Sequence, residues 1–346
     1  QYNNAQMAMK IFLNSAYGAV GNKYFTFYDS DNAEAITLSG QLSIRWAEKR
    51  VNAFLNKKME TEDVDYIIAM DTDSMYINLG PLVKKFAGGI ESATTSDDYT
   101  KITDIIDQIC EKFIQPEIEE AYEDLAEVMN AYINAMDMKR EAISNRGIWK
   151  AKKMYVLNVI DNEGVRYKEP DLKIMGLEAI RSSVPEVCRD ALRESLKIIL
   201  NKDNDTLIDF IANFREEFNR LPFSDIAFPR GVKGLSKYRD LNTLYIKGTP
   251  IHVKGALRYN DLLKKNKLEM NPIYDGDKIK FAYLKMPNPI HDTVISTPGY
   301  MPKEFGLDQY VYRQKQFDKA YLDPLKSITD IIEWKTDKSI NLEDFF

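Results

Sequence analysis

The stretch Tyr66–Gly80, YIIAMDTDSMYINLG, sets two carboxylates, Asp71 and Asp73, one residue apart in a run otherwise suited to burial. Its apolar and aromatic residues predict a strand, on which side chains alternate faces, so Asp71 and Asp73 point one way and Met70, Thr72 and Ser74 the other. Two like charges on one face repel unless a cation sits beside them or the strand end is open to water. The pair is a candidate metal site.

Working outward, the 346 residues are 44% hydrophobic and 29% charged, a globular balance long enough for two or three packed regions. Only two cysteines occur, Cys110 and Cys188, far apart, which suits a reducing compartment and excludes a disulfide framework or zinc cluster. Two histidines, His252 and His291, are too few for a His-rich metal site. No signal peptide is visible, and no apolar run reaches the ~18 residues of a membrane span. The chain opens on Gln1, not Met, which reads as a processed piece or part of something longer.

The net charge of -6 hides an asymmetry. Residues 91–145 carry 14 acidic against 4 basic side chains, and residues 225–290 carry 6 acidic against 13 basic. The basic segment interleaves aromatics and glycines, as in PRGVKGLSKYRD (Pro229–Asp240) and HVKGALRYNDLLKK (His252–Lys265). That texture suits a groove tracking phosphates, with Lys233, Lys237, Tyr238, Lys254 and Arg258 as its candidates, and it equally suits a solvated basic surface.

Helices are expected from Gln1 to about Val20 and from Asp29 to Leu55, the second opening on DSDNAEA. An acidic helical stretch follows in IEEAYEDLAEVMNAYI (Ile118–Ile133), then IWKAKKMYVLNVIDNEGVRYKE (Ile148–Glu169), which alternates like a β-hairpin turning at Asn162–Gly164. Together they predict an α+β region with an antiparallel sheet. A boundary near Lys173 then leads into mixed helix and loop.

In MKIFLNSAYGAVGN, the spacing of Lys10, Asn14 and Tyr17 puts an ammonium, an amide and a phenol on one helix face. Such a stripe suits a phosphate-bearing, ring-bearing ligand, and it also suits an ordinary wet helix face. In WKAKKMY (Trp149–Tyr155), strand alternation sends Lys150 and Lys152 one way and Lys153 and Tyr155 the other, as edge protection or as contacts to a polyanion.

These signals converge on metal-assisted transfer on nucleic acid. KIFLNSAYG resembles the fingers motif of family B DNA polymerases, DTDS their palm motif, and KKMY their primer-holding Lys-Lys-Arg-Tyr, in matching order and spacing. MDMKREAISNRG, LKIMGLE and the terminal NLEDFF are most similar to the replicative enzymes of T-even-like bacteriophages.

The resemblance implies a right-hand polymerase: a fingers helix at residues 1–22, a palm at 23–172 with an antiparallel sheet, and a mixed, largely helical thumb at 173–346. It implies that Asp73, supported by Asp71, holds two Mg2+ ions roughly 3.5–4 Å apart, with Mn2+ as a substitute, and that Glu141 lies near them. Lys10 and Asn14 are then expected on the dNTP triphosphate, and Tyr17 and Gly18 against the nascent base pair. Lys152, Lys153 and Tyr155 hold the primer strand, and the basic segment after Asp225 grips duplex DNA. Leu342, Phe345 and Phe346 form a tail for a sliding clamp. The implied setting is the cytoplasm of an infected bacterial cell.

Two departures from the family pattern are Met70, where Gly usually precedes the paired aspartates, and Met154, in place of Arg. A larger one is that the other palm motif, an Asp with a Ser-Leu-Tyr-type stretch, does not occur here, nor do the 3′–5′ exonuclease carboxylates. The chain alone is therefore expected not to polymerise, to be poorly soluble or oligomeric, and to need an N-terminal polymerase part. A non-catalytic DNA-binding or processivity subunit is the alternative. An EF-hand starting at Asp71 fails, since Tyr76 and Leu82 stand where Gly and Glu are required. A glycosyltransferase Asp-x-Asp would follow a nucleotide-binding βαβ unit, and none precedes Asp71.

Overall fold

The computed structural model describes residues 2–87 and 96–337. The chain divides into two compact units, one of Gln1–Ile143 with Ile160–Glu169, the other of Ser144–Val159 with Pro170–Phe346.

The first unit opens with α1 (Tyr2–Val20) and α2 (Ser30–Met59). Both expected helices form, and the second starts where the aspartate cluster stands, because the Asp29 carboxylate accepts from the N–H groups of Asp31 and Asn32 at 3.1 and 3.0 Å. Glu60, at φ +59°, ends α2. Then come β1 (Ile67–Asp71), β2 (Ser74–Ile77), α3 (Gly80–Ala87) and α4 (Ser96–Ile109), which runs through a π turn at Cys110–Ile114 into α5 (Gln115–Val128). Ala47, Val51 and Leu55 of α2 share a core with Ile114, Ile118 and Tyr122, and with Tyr66 and Ile67 at the start of β1. The acidic face of α5 is partly neutralised by Arg50 of α2, which pairs with Glu117 at 2.9 Å, Asp124 at 3.2 Å, and Glu120. A smaller cluster joins Val83, Ile102, Ile106, Ile143 and Ile160.

Strands β3 (Ala142–Ala151), β4 (Met154–Asn162) and β5 (Val165–Met175) form one meander in the order β3-β4-β5. The expected turn near Asn162–Gly164 is present, with Glu163 at φ +49° and Gly164 at φ +86°, the backbone that a two-residue hairpin requires. A second turn, at Lys152–Lys153, breaks what reads in the sequence as one strand.

The second unit is built on α6 (Glu186–Asn201) and α7 (Asn204–Arg220), whose Leu196, Leu207, Ile211 and Phe218 are almost fully buried. Phe214 and Phe218 meet Phe317 and Tyr321 in an aromatic cluster, and the Tyr321 hydroxyl lies 2.7 Å from that of Ser195. Mixed helix and loop is the expectation beyond the boundary near Lys173, yet Phe228–Gly231, Lys278–Tyr283 and Val294–Thr297 form a three-stranded antiparallel sheet, with Lys278–Tyr283 in the centre. The helix Ile251–Lys265 lies so close to it that a Cβ on Gly255 would stand 2.6 Å from the Ser296 backbone nitrogen. Both thiols are in packed surroundings, and burial pushes Cys110 up to about 11 and Cys188 up to about 12.

Candidate active site

Asp71 and Asp73 do not share a strand face. Asp71 is the last residue of β1 and pairs with Ser74, the first of β2, so Thr72 and Asp73 form the connection of a tight hairpin. The Asp73 N–H donates to the Asp71 carbonyl at 2.7 Å, which closes a γ-turn around Thr72 at φ +56°. The Thr72 hydroxyl donates to Asp71 Oδ1 at 3.1 Å, and the Ser74 hydroxyl to the Asp71 carbonyl at 3.1 Å. Asp, Thr and Ser all favour turns through such local bonds, and here they outweigh the strand preference of the flanks.

A β-branched residue at positive φ costs about 1–3 kcal/mol and persists only where its surroundings hold it. The cross-strand pair Met70 and Met75 supplies that hold, since both pack on the α2–α5 core. Thr72 and Asp73 are exposed and Asp71 is half-buried. The hairpin thus presents two carboxylates in one turn, hard oxygen donors of the kind that Mg2+ or Mn2+ takes. No three acidic, histidine or cysteine side chains gather into a metal cage among the described residues. Mg2+ is commonly held by one or two carboxylates together with substrate phosphates and water, so the turn fits such an ion as part of its ligand set.

Glu141 therefore does not join the two aspartates in a preformed cluster. It is exposed just ahead of β3, and its carbonyl accepts from the Glu163 N–H at 2.6 Å. Its neighbour Arg140 enters a network that the sequence reading missed. The Asp161 carboxylate, 0% exposed, receives Arg140 and Arg166, together with the Gly164 N–H at 3.2 Å. Asp107 of α4 closes the ring, 2.7 Å from Arg140 and 2.8 Å from Arg166, and Asp104 adds a contact to Arg166 at 3.0 Å. Burial alone would raise the Asp107 carboxyl, but the two guanidiniums outweigh it and hold it below the usual carboxylate range. Asp161 and Arg166 are five residues apart, but Arg140 and Asp107 stand well upstream, and no local motif announces the ring.

Lys10, Asn14, Tyr17 and Gly18 all lie on α1 and are exposed, with the first three on one face as their spacing predicts. Gly18 sits inside the helix, with nothing within 4 Å of where a Cβ would stand, which leaves room for a ligand. The apolar side of α1 is equally bare: Phe12 is 70% exposed, and in the following segment Tyr24 and Phe27 are 84% and 76% exposed. These aromatics went unread in the sequence, where GNKYFTFYDS (Gly21–Ser30) carries the signal.

In the second unit, Lys152 and Lys153 form the exposed tip of the β3–β4 hairpin, and Lys153 takes φ +61°. Alternation does not govern their direction, because neither is in a strand. Tyr155 is buried, its ring 6.2 Å from that of Trp149. Lys150 donates to the Ser327 hydroxyl at 2.7 Å. Lys233 and Lys237 are exposed, Lys237 lying over the Tyr238 ring. Lys254 lies over Tyr245. Arg258 is committed internally, 3.1 Å from the buried Asp292 and 3.4 Å from Asp261. Leu342, Phe345 and Phe346 lie outside the described residues.

Residues 1–227 match the family model described as DNA polymerase family B. Over 99% of its length the chain is 35% identical to the DNA-directed DNA polymerase of Enterobacteria phage T4 and 32% identical to that of Escherichia phage RB69. It is also 22% identical, over 92% of its length, to DNA polymerase 2 of Aeropyrum pernix. The chain spans 39% and 38% of the length of the two phage proteins.

Proposed function

The chain belongs to DNA polymerase family B, and from that premise we propose that it supplies the C-terminal part of a DNA-directed DNA polymerase, whose activity needs an N-terminal part carrying the other palm motif and the exonuclease. One observation carries the reading: Asp71, at the end of β1, and the exposed Asp73 flank a single strained turn at Thr72, an arrangement more costly than a plain strand and useful where two oxygen ligands serve one ion.

Asp73 and Asp71 would hold the Mg2+ ions of a two-metal site, with Mn2+ as a substitute, and Glu141 would add negative charge nearby. When bound, such ions stabilise the attacking and leaving oxygens of an in-line displacement at the α-phosphate. Lys10 then binds the triphosphate of the incoming dNTP and offsets charge on the departing pyrophosphate, with Asn14 beside it. Tyr17 stacks at the nascent base pair, and the open space over Gly18 admits the base. In the second unit, Lys152 and Lys153 contact primer phosphates, and buried Tyr155 anchors the strand behind them. Lys233, Lys237, Tyr238 and Lys254 add contacts to duplex DNA that read no sequence. Arg258, already paired, contributes through the shape of the helix it stabilises. Residues 1–22, 23–172 and 173–346 are the fingers helix, palm and thumb of this reading. The terminal Leu342, Phe345 and Phe346 are offered to a sliding clamp, in the cytoplasm of an infected bacterium.

The bare apolar faces of α1 and of Tyr24–Tyr28 support the need for a second polypeptide part, since apolar surface of that extent is usually covered. No described helix is long and apolar enough to cross a membrane. The test is reconstitution: the chain, its N-terminal counterpart and the mixture are each given primer–template, dNTPs and Mg2+. Extension by the mixture alone supports the reading. A silent mixture whose parts bind each other and DNA points instead to a non-catalytic DNA-binding subunit.

A further inference from the structure

LKIMGLE contains a glycine whose place becomes clear only in three dimensions. Gly176 follows β5 directly at φ +66°, and a Cβ built on it would lie 2.2 Å from the carbonyl oxygen of Lys153 and 3.1 Å from Met154 Cγ. The first of these is a backbone atom, which cannot swing aside. Lys153 is itself at φ +61°, in the second position of the Lys152–Lys153 turn, a conformation that L residues adopt at a cost. The Gly176 carbonyl accepts from Arg181 Nη2 at 2.7 Å, and Arg181 Nη1 pairs with Glu178 at 3.2 Å. A strained backbone at the exposed lysine tip is thus in direct contact with a glycine backbone that Arg181 ties back.

We propose that Gly176 is a positioning residue for primer binding: its bare backbone is the seat on which the Lys153 carbonyl rests, and that seat fixes the direction in which Lys152 and Lys153 present their ammonium groups to DNA phosphates. The proposal rests on the reading that these two lysines contact DNA. The two-residue β3–β4 connection itself calls for positive φ, and Lys is not a residue type that favours it. The hairpin sets this geometry, and the Lys153 carbonyl it turns outward meets the bare backbone of Gly176, where no Cβ would fit. Any side chain there pushes the two backbones apart by about 1 Å to regain ordinary contact distances. The turn can then relax, and the two charges lose their common aim. Glu178 and Arg181, which follow in the same short stretch GLEAIR, keep the seat from yielding instead.

The test is the salt dependence of primer–template duplex binding by the chain assembled with its N-terminal counterpart, which counts phosphate contacts through a slope of about 0.9 per contact. The Lys152→Ala/Lys153→Ala variant is expected to flatten the slope by nearly two contacts. Gly176→Ala, which removes no charge, is expected to flatten it by a similar amount and to weaken binding at least tenfold at moderate salt. Adding Gly176→Ala to the double lysine variant is expected to cost nothing more. A Gly176→Ala protein with a lowered Tm and a wild-type slope overturns the proposal, because the glycine then serves packing alone. A wild-type slope in the double lysine variant overturns the underlying reading instead. If Gly176→Ala does not fold, Arg181→Gln, at an exposed side chain, replaces it. A flatter slope is then expected, and an unchanged one is contradictory.

Discussion

Arg140 and Asp161 form an ion pair in which the carboxylate is wholly removed from solvent, one residue away from the exposed Glu141. With Arg166 and Asp107 it makes a closed ring joining α4 to the ends of β4 and β5. Breaking a buried pair strands a charge and costs about 3–5 kcal/mol, whereas losing a surface pair costs about 1 kcal/mol or less. Asp161→Asn and Arg140→Ala are therefore expected to unfold the first unit at much lower urea. Arg50→Ala, in the more exposed pairs with α5, is expected to shift the midpoint little. Equal shifts in the two classes would show that the ring is not the stronger fastening.

Acid should act on the two units in different windows. Asp107 has its folded pKa below the unfolded value, so its stabilising contribution is full above about pH 4 and is lost as pH falls through the folded value. His252, in the second unit, is pushed down by burial and by Arg230, so the unfolded state takes up its proton first. Its destabilising effect starts as pH falls below about 6.5 and is complete at the folded value. Hydrogen exchange at pH 7, 5.5 and 3.5 is expected to loosen the second unit before the first. His252→Gln should remove the earlier step.

Thr72→Gly relieves the positive φ of the hairpin turn, and its expected effect on stability is within about 1 kcal/mol, strain relief being offset by added backbone freedom. Its expected effect on extension in the reconstituted enzyme is a loss of tenfold or more, because the two carboxylates lose their fixed spacing. Full activity in Thr72→Gly would mean that the strained turn has no catalytic use.

The chain alone should self-associate and bind an apolar dye through α1 and Tyr24–Tyr28. Phe12→Ser with Phe27→Ser is expected to reduce both, and also to block assembly with the N-terminal part. Sedimentation of the unaltered chain as a single monodisperse monomer, with a cooperative melt, would contradict this.

Legibility in the sequence followed the range of the forces involved. The α2 start was readable because Asp29 caps it locally, and the Glu163–Gly164 turn because a glycine marks it. The turns at Thr72–Asp73 and Lys152–Lys153 were not, since each two-residue hairpin puts a non-glycine residue, Thr72 or Lys153, at positive φ, with no glycine or asparagine to mark the turn. The sheet of the second unit pairs Phe228–Gly231 with Lys278–Tyr283, about fifty residues apart, and no local period announces such a partnership. Asp161 is a charged residue inside a buried strand, and only Arg140 and Arg166 make sense of it. The carboxylate pair was the most legible part of the candidate site, though in a turn rather than on a strand face.

The most direct measurement is primer extension by the mixture of this chain with its N-terminal counterpart, using wild-type chain and Asp73→Ala. Asp73 is exposed in the turn, so its removal leaves the fold intact, which a melt of the same samples checks. Mg2+-dependent extension by the wild-type mixture and a loss of a hundredfold or more in the variant are expected. Equal extension by both would contradict a catalytic role for the hairpin.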